Sequence, residues 1–116
     1  MNILVADDEE SIRFLMAELL QSKGHTPILA CNGEEALTFW KKSLNHSDYI
    51  LDAVITDIVM PKLDGLKLIK SIRADDKIVA ILAMTGYSNF SIAQEAIHVG
   101  ASDFLLKPFR AGDFYL

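Results

Sequence analysis

Five polar side chains stand out by type and placement: Asp7 and Asp8 are adjacent, Asp57 and Thr85 each follow a short apolar run, and Lys107 precedes a proline. Three carboxylates gathered in one cleft repel one another, so the set is costly unless a cation joins them or one carboxyl keeps its proton. A divalent ion meets that need. An all-oxygen ligand set with positions left for water suits Mg²⁺, which takes one or two carboxylates plus phosphate oxygens, with Mn²⁺ as an alternative. Lys107 adds a point charge and Thr85 a hydroxyl donor, both suited to the oxygens of a phosphoryl group. Asp57 can then serve as the nucleophile, because a carboxylate that attacks phosphorus forms an acyl phosphate.

Taken singly, each residue has a plainer reading. An aspartate at the end of a strand commonly opens a turn or caps the next helix, and Asp64, Asp75, Asp76 and Asp103 are read that way. A lone Lys-Pro is usually a loop and a lone Thr-Gly a turn. The joint placement of the five, in this order along the chain, is what argues for chemistry.

Short apolar runs alternate with segments of helical period, five times over. Ile3 to Ala6 reads as a strand covered on both faces, and it stops at Asp7. Ile12, Leu15, Met16 and Leu19 recur at helical spacing, and Gly24 is placed to end that helix. Thr26 to Cys31 reads as a second strand. Asn32 with Glu35 resembles a capping box opening a helix that turns Ala36, Leu37, Trp40 and Leu44 inward. A polar connection from Asn45 to Asp52, including Asp48, leads to a third strand, Ala53 to Thr56, which ends at Asp57. Pro61 blocks direct continuation, and Asp64 can cap a third helix with Gly65, Leu68, Ile69 and Ile72 on its inner face. Ile78 to Met84 reads as the fourth strand, Ser91 to Val99 as the fourth helix, and Asp103 to Leu106 as the fifth strand. Beyond Arg110 there is too little chain for a helix of ordinary length, about 11–12 residues, so a fifth helix is expected to be truncated.

This alternation implies parallel strands joined by right-handed crossovers, a three-layer α/β domain with sites at the C-terminal strand ends. The second strand contributes nothing polar there. It therefore belongs at an edge, which gives the doubly wound, flavodoxin-like order 2-1-3-4-5 with its switch point between strands one and three.

Composition narrows the function classes. The 116 residues carry 11 Lys+Arg against 16 Asp+Glu, a net charge of −5, with no basic run. That argues against direct binding to nucleic acid or anionic lipid. The longest apolar run, Ile78 to Met84, has seven residues, far short of the roughly 20 of a membrane helix. Met1-Asn2 opens no signal peptide, so a cytoplasmic location is expected. The single cysteine, Cys31, cannot form an internal disulfide, and its apolar neighbours predict a buried thiol. His25, His46 and His98 lack the spacing of metal ligands. Trp40 and the methionines read as packing.

The motifs Ala6-Asp7-Asp8-Glu9, Thr56-Asp57-Ile58-Val59-Met60-Pro61 with Asp64-Gly65, Met84-Thr85-Gly86 and Asp103-Phe104-Leu105-Leu106-Lys107-Pro108-Phe109 together resemble the receiver domain of bacterial two-component response regulators. The resemblance covers residues 1–116 as one domain. It implies that Asp57 is the phosphoacceptor, that Asp8 and Asp57 ligate Mg²⁺ directly with help from the Val59 carbonyl, and that Asp7 acts through a metal-bound water. It also implies that Thr85 and Lys107 hold the phosphoryl group and that Phe104 is an aromatic switch coupled to Thr85. A cis Lys107–Pro108 bond follows from the same source. The implied partners are a sensor histidine kinase or phosphotransfer protein, and an output domain or partner met through the fourth helix, fifth strand and fifth helix. The chain would be a switch that assists its own phosphorylation and hydrolysis, not an enzyme acting on other substrates. Val59 and Tyr87, one apolar and one bulky, bear on the lifetime of the acyl phosphate. A flavodoxin-type cofactor binder would share the fold, but Asp7-Asp8-Glu9-Glu10 would repel a phosphate. A haloacid-dehalogenase-type phosphatase would need Asp-x-Asp at the first strand. A degenerate docking module would not keep all five residues.

Overall fold

The computed structural model describes residues 1–45, 49–86 and 90–107. Strand β1 (Asn2–Ala6) is followed by α1 (Glu10–Ser22), β2 (Thr26–Ala30), α2 (Gly33–Asn45), β3 (Ala53–Asp57), α3 (Gly65–Asp75), β4 (Ala80–Gly86), α4 (Phe90–Val99) and β5 (Asp103–Lys107). All five strands run parallel in the order β2-β1-β3-β4-β5, as expected. The described residues hold four helices. The fifth helix, the Lys107–Pro108 bond, Tyr87, His46 and Asp48 lie outside the described residues.

Successive residues of a strand point to opposite faces, and the two faces build two cores. Leu4, Ala6, Val54, Ile81 and Ala83 face one way, where α2, α3 and α4 supply Trp40, Leu68, Ile69, Ile72 and Ala96. Ile3, Val5, Ile55 and Met84 face the other, against Met16 and Leu20 of α1. The inner face expected of α3 is buried throughout.

Several expectations are corrected. The buried stripe of α1 runs through Met16 and Leu20, and Leu15 is exposed together with Phe14. Leu44, at the end of α2, is exposed rather than inward. Cys31 is exposed, because β2 ends one residue earlier and the Cys31 N–H leaves the sheet to donate to Glu35 Oε1 at 2.9 Å. The same bond modifies the expected capping box. Asn32 Oδ1 accepts from the Glu35 N–H at 2.8 Å, but Glu35 reaches past the cap to the residue before it. Finally, β4 begins at Ala80, not Ile78, which is 91% exposed. Asp76 Oδ1 accepts from the N–H groups of Ile78 and Val79 and holds both in a turn. Asp64 caps α3 as expected, accepting from the Lys67 N–H at 2.9 Å. Asp75 does neither job expected of it: it accepts from Trp40 Nε1 at 3.0 Å and Lys41 Nζ at 2.8 Å, tying α3 to α2.

Candidate functional site

Strands β1 and β3 are neighbours and both stop at the same end of the sheet, Ala6 pairing with Thr56. The next residues, Asp7 just past β1 and Asp57 at the last position of β3, therefore stand side by side. Asp7, Asp8 and Asp57 each offer a carboxylate oxygen, and these oxygens lie within 4.8 Å of one another. Asp7 is wholly buried and Asp57 nearly so, whereas Asp8 is exposed at the mouth of the crevice. The three residues singled out for their carboxylates thus form one cluster.

The register brings Lys107 to it. Asp57 pairs with Met84 and Met84 with Leu105, so Lys107, two residues on, projects from the same face as Leu105 at the strand end. Its Nζ donates to Asp7 Oδ2 at 2.8 Å and to Asp57 Oδ2 at 3.0 Å. Burial pushes the Asp57 carboxyl up; the Lys107 hydrogen bond and charge pull it down, the Asp7 charge pushes it up again, and the net position is above the ordinary carboxylate value. Burial pulls the Lys107 ammonium down, but its bonds to Asp7 and Asp57 and their charges outweigh that and leave it above the ordinary lysine value. Burial is thus the main cause of the Asp57 direction, with the Asp7 charge adding to it, while Lys107 is raised because a single ammonium serves two carboxylates; the site as a whole is short of positive charge. A divalent cation corrects that imbalance, and the all-oxygen donor set of Asp7, Asp8 and Asp57 fits Mg²⁺.

Thr85 is the penultimate residue of β4, the strand beside β3. It is 2% exposed, and among the described residues its Oγ1 is the one buried side-chain polar atom with no hydrogen-bond partner. Buried hydroxyls are normally paired, so a donor left over at the rim of an acidic crevice suits an acceptor that arrives from outside. Phe104 pairs across with Ala83, two residues before Thr85, so Phe104 and Thr85 project from the same face of the sheet. Phe104 is half-buried against the core under α2, α3 and α4. Val59 is exposed, and its backbone N–H bonds the Asp57 carboxylate.

One neighbour was missed from the sequence. Arg13 Nη1 donates to the Asp7 carbonyl at 2.8 Å. The available cue was its position in the opening turns of α1, where a cation opposes the helix dipole and so needs a partner elsewhere.

Comparisons with known proteins converge on one family. Residues 3–115 match the family described as the response regulator receiver domain. The regulatory protein AtoC of Escherichia coli K12 is 34% identical over 114 residues, which span 98% of this chain and 23% of that protein. A probable transcriptional regulator, ycf27 of Porphyridium aerugineum, is 37% identical over 107 residues, 92% of this chain and 42% of that one. The chain therefore spans less than half of these relatives. Among solved structures, a response regulator receiver domain protein from Clostridium thermocellum superposes with a TM-score of 0.87 at 33% identity, covering 97% of this chain and 86% of that one. The receiver domain of NtrX from Brucella abortus superposes with a TM-score of 0.84 at 35% identity, covering 95% and 88%. With its 2-1-3-4-5 sheet and its acidic cluster at the C-terminal strand ends, the chain belongs to the response regulator receiver domain family.

Proposed function

We propose that residues 1–116 form one phosphoacceptor domain in which Asp57 takes a phosphoryl group from the phosphohistidine of a sensor histidine kinase or phosphotransfer protein. An Asp57 carboxylate oxygen forms the new bond to phosphorus as the phosphorus–nitrogen bond breaks, and the histidine leaves. The observation that carries this reading is the surroundings of Asp57: two further carboxylates, the Lys107 ammonium and a hydroxyl without a partner.

Asp8 and Asp57, with the Val59 carbonyl, would ligate Mg²⁺ directly, and Asp7 would do so through a water. When bound, the ion would neutralise charge on the phosphoryl oxygens. Lys107 would turn its ammonium from Asp57 to a phosphoryl oxygen, and Thr85 Oγ1 would donate to another. Drawing Thr85 toward the phosphoryl group frees space behind it on the face that Phe104 shares. Phe104 then favours an inward rotamer, and the surface of α4 and β5 changes by population shift. That surface, extended by a fifth helix, is where an output domain or partner would read the switch. The name of the ycf27 relative, a probable transcriptional regulator, favours output in gene regulation, exercised by another part of the whole protein. Among the described residues no helix is long and apolar enough to cross a membrane, which fits a cytoplasmic setting.

The test is intact-mass measurement after incubation with acetyl phosphate and Mg²⁺. The expected outcome is one added phosphoryl group, labile to hydroxylamine and absent from Asp57→Asn. A full mass shift in that variant places the acceptor elsewhere. Thr85→Ala separates capture from response: it should still be phosphorylated, while NMR shifts near Phe104 respond less to beryllofluoride, a phosphoryl mimic. An identical response in Thr85→Ala and wild type removes Thr85 from the route.

A further inference from the structure

Arg13 lies half-buried in α1, outside the five residues singled out by type and placement. It is the side chain that holds the turn between β1 and α1 from the helix side, through its 2.8 Å bond to the Asp7 carbonyl. The same turn is held elsewhere by Asp7 N–H to the Ala30 carbonyl at 3.1 Å and by Glu9 N–H to Asp7 Oδ1 at 2.9 Å. The choice of partner is informative. Lys107 is the ion-pair partner of the Asp7 and Asp57 carboxylates, whereas the Arg13 guanidinium bonds the backbone carbonyl of Asp7. Arg13 therefore orders Asp7-Asp8 without occupying the oxygen lone pairs that a cation needs.

We infer that Arg13 is a positioning residue for the divalent-cation site, preorganising Asp7 and Asp8 through the Asp7 carbonyl. This rests on the reading of Asp7, Asp8 and Asp57 as a Mg²⁺ site. Two opposite effects decide the sign. As a bystander charge, Arg13 repels Mg²⁺, so its removal would tighten binding. As the group that holds the turn, its removal lets two adjacent like charges swing apart, and the ion must pay to gather them again. The second effect should win, because one charge-assisted hydrogen bond is worth more than a screened repulsion between partly solvated cations.

The experiment is a Mg²⁺ titration followed by the backbone amide NMR shifts of Glu9 and Ile58, on wild type, Arg13→Met and Arg13→Lys. Met keeps the packing of the stem and removes the charge and the donors; Lys restores a charged donor. The inference expects a native spectrum for Arg13→Met with Mg²⁺ affinity weakened about tenfold, and recovery of most of that loss in Arg13→Lys. Unchanged or tighter binding in Arg13→Met overturns it, including the case in which only the metal-free melting temperature falls. Should Arg13→Met not fold, Arg13→Gln is read in its place by the same criteria, since its shorter stem leaves the amide short of the carbonyl. Wild-type protein that shows no Mg²⁺-dependent shifts overturns the metal-site reading itself, and this inference with it.

Discussion

One ammonium between two carboxylates sets the residue-scale behaviour of the metal-free site. Asp57 titrates above the ordinary carboxylate value because burial and Asp7 together outweigh Lys107, so ionised Asp57 weakens the folded state. Asp57→Asn should therefore raise the metal-free melting temperature at neutral pH. The gain should shrink as pH falls through the raised value and vanish below the ordinary aspartate range, where Asp57 is neutral folded or unfolded. A gain that persists at low pH would come from packing instead. Lys107 works in the opposite sense. Its raised value means a stabilising contribution that is fully present below the ordinary lysine pKa and lost as pH rises through the folded one. That loss belongs to the alkaline limb of the stability curve and should be missing in Lys107→Ala. These groups were legible in the sequence by type and placement. Their protonation balance was not, because it depends on burial and on Lys107 reaching both partners.

At the scale of elements, close approaches decide how the site is aimed. Gly65 opens α3 directly against the strand that carries the acceptor, and its N–H donates to the Ile58 carbonyl at 2.7 Å. A Cβ there would run into the Asp57 carbonyl oxygen and Ile58 Cα, which are backbone and cannot rotate away. Gly65→Ala should destabilise by about 1–3 kcal/mol and slow phosphorylation by displacing Asp57; thermal melting and acetyl phosphate labelling check the two effects separately. Arg73 plays a comparable part at the other end of the sheet. Its guanidinium donates to the Gly100 carbonyl at 2.8 Å and to the Val79 carbonyl at 2.7 Å, with weaker contacts to the Asp76 carbonyl and Ser102 Oγ. It binds the end of α3, the start of β4 and the turn between α4 and β5 into one unit. Arg73→Met should keep the apolar stem and lose about 2–3 kcal/mol of stability, measured by urea denaturation, while Mg²⁺ affinity stays at the wild-type level because the cluster lies at the opposite strand ends. A loss of Mg²⁺ affinity as large as that of Arg13→Met would mean the two ends are coupled.

For the molecule as a whole, the acidic crevice is a place where ligand binding and folding stability meet. A cation held only by the folded chain adds stability by mass action, about 2.7 kcal/mol at a hundredfold excess over Kd. For a chain of 116 residues that corresponds to a rise of roughly 10 °C in melting temperature. The rise should follow Mg²⁺ concentration and be largely absent in Asp8→Asn. A melting curve indifferent to Mg²⁺ in the wild-type protein removes the metal site, whatever the variants do.

The sequence by itself determined the strand order and the identity of the clustered groups, for reasons that are local or combinatorial. Continuous apolar runs mark strands covered on both faces, helical period marks what covers them, and handed crossovers leave few ways to lay five parallel strands side by side. Asp7, Asp8, Asp57, Thr85 and Lys107 then fall at one end of the sheet because each stands where a run stops. Tertiary structure decided what local pattern cannot specify. Met16 and Leu20, rather than Leu15, face the sheet because the angle at which α1 docks fixes which part of a broad apolar stripe is covered. Cys31 and Ile78 stand outside their strands because Glu35 and Asp76 capture the backbone N–H groups the ladder would have used. Lys107 touches two carboxylates, Thr85 Oγ1 has no partner and Arg13 reaches the Asp7 carbonyl. All three outcomes follow from register and burial between segments as many as 100 residues apart, which the spacing of residue types along the chain does not encode.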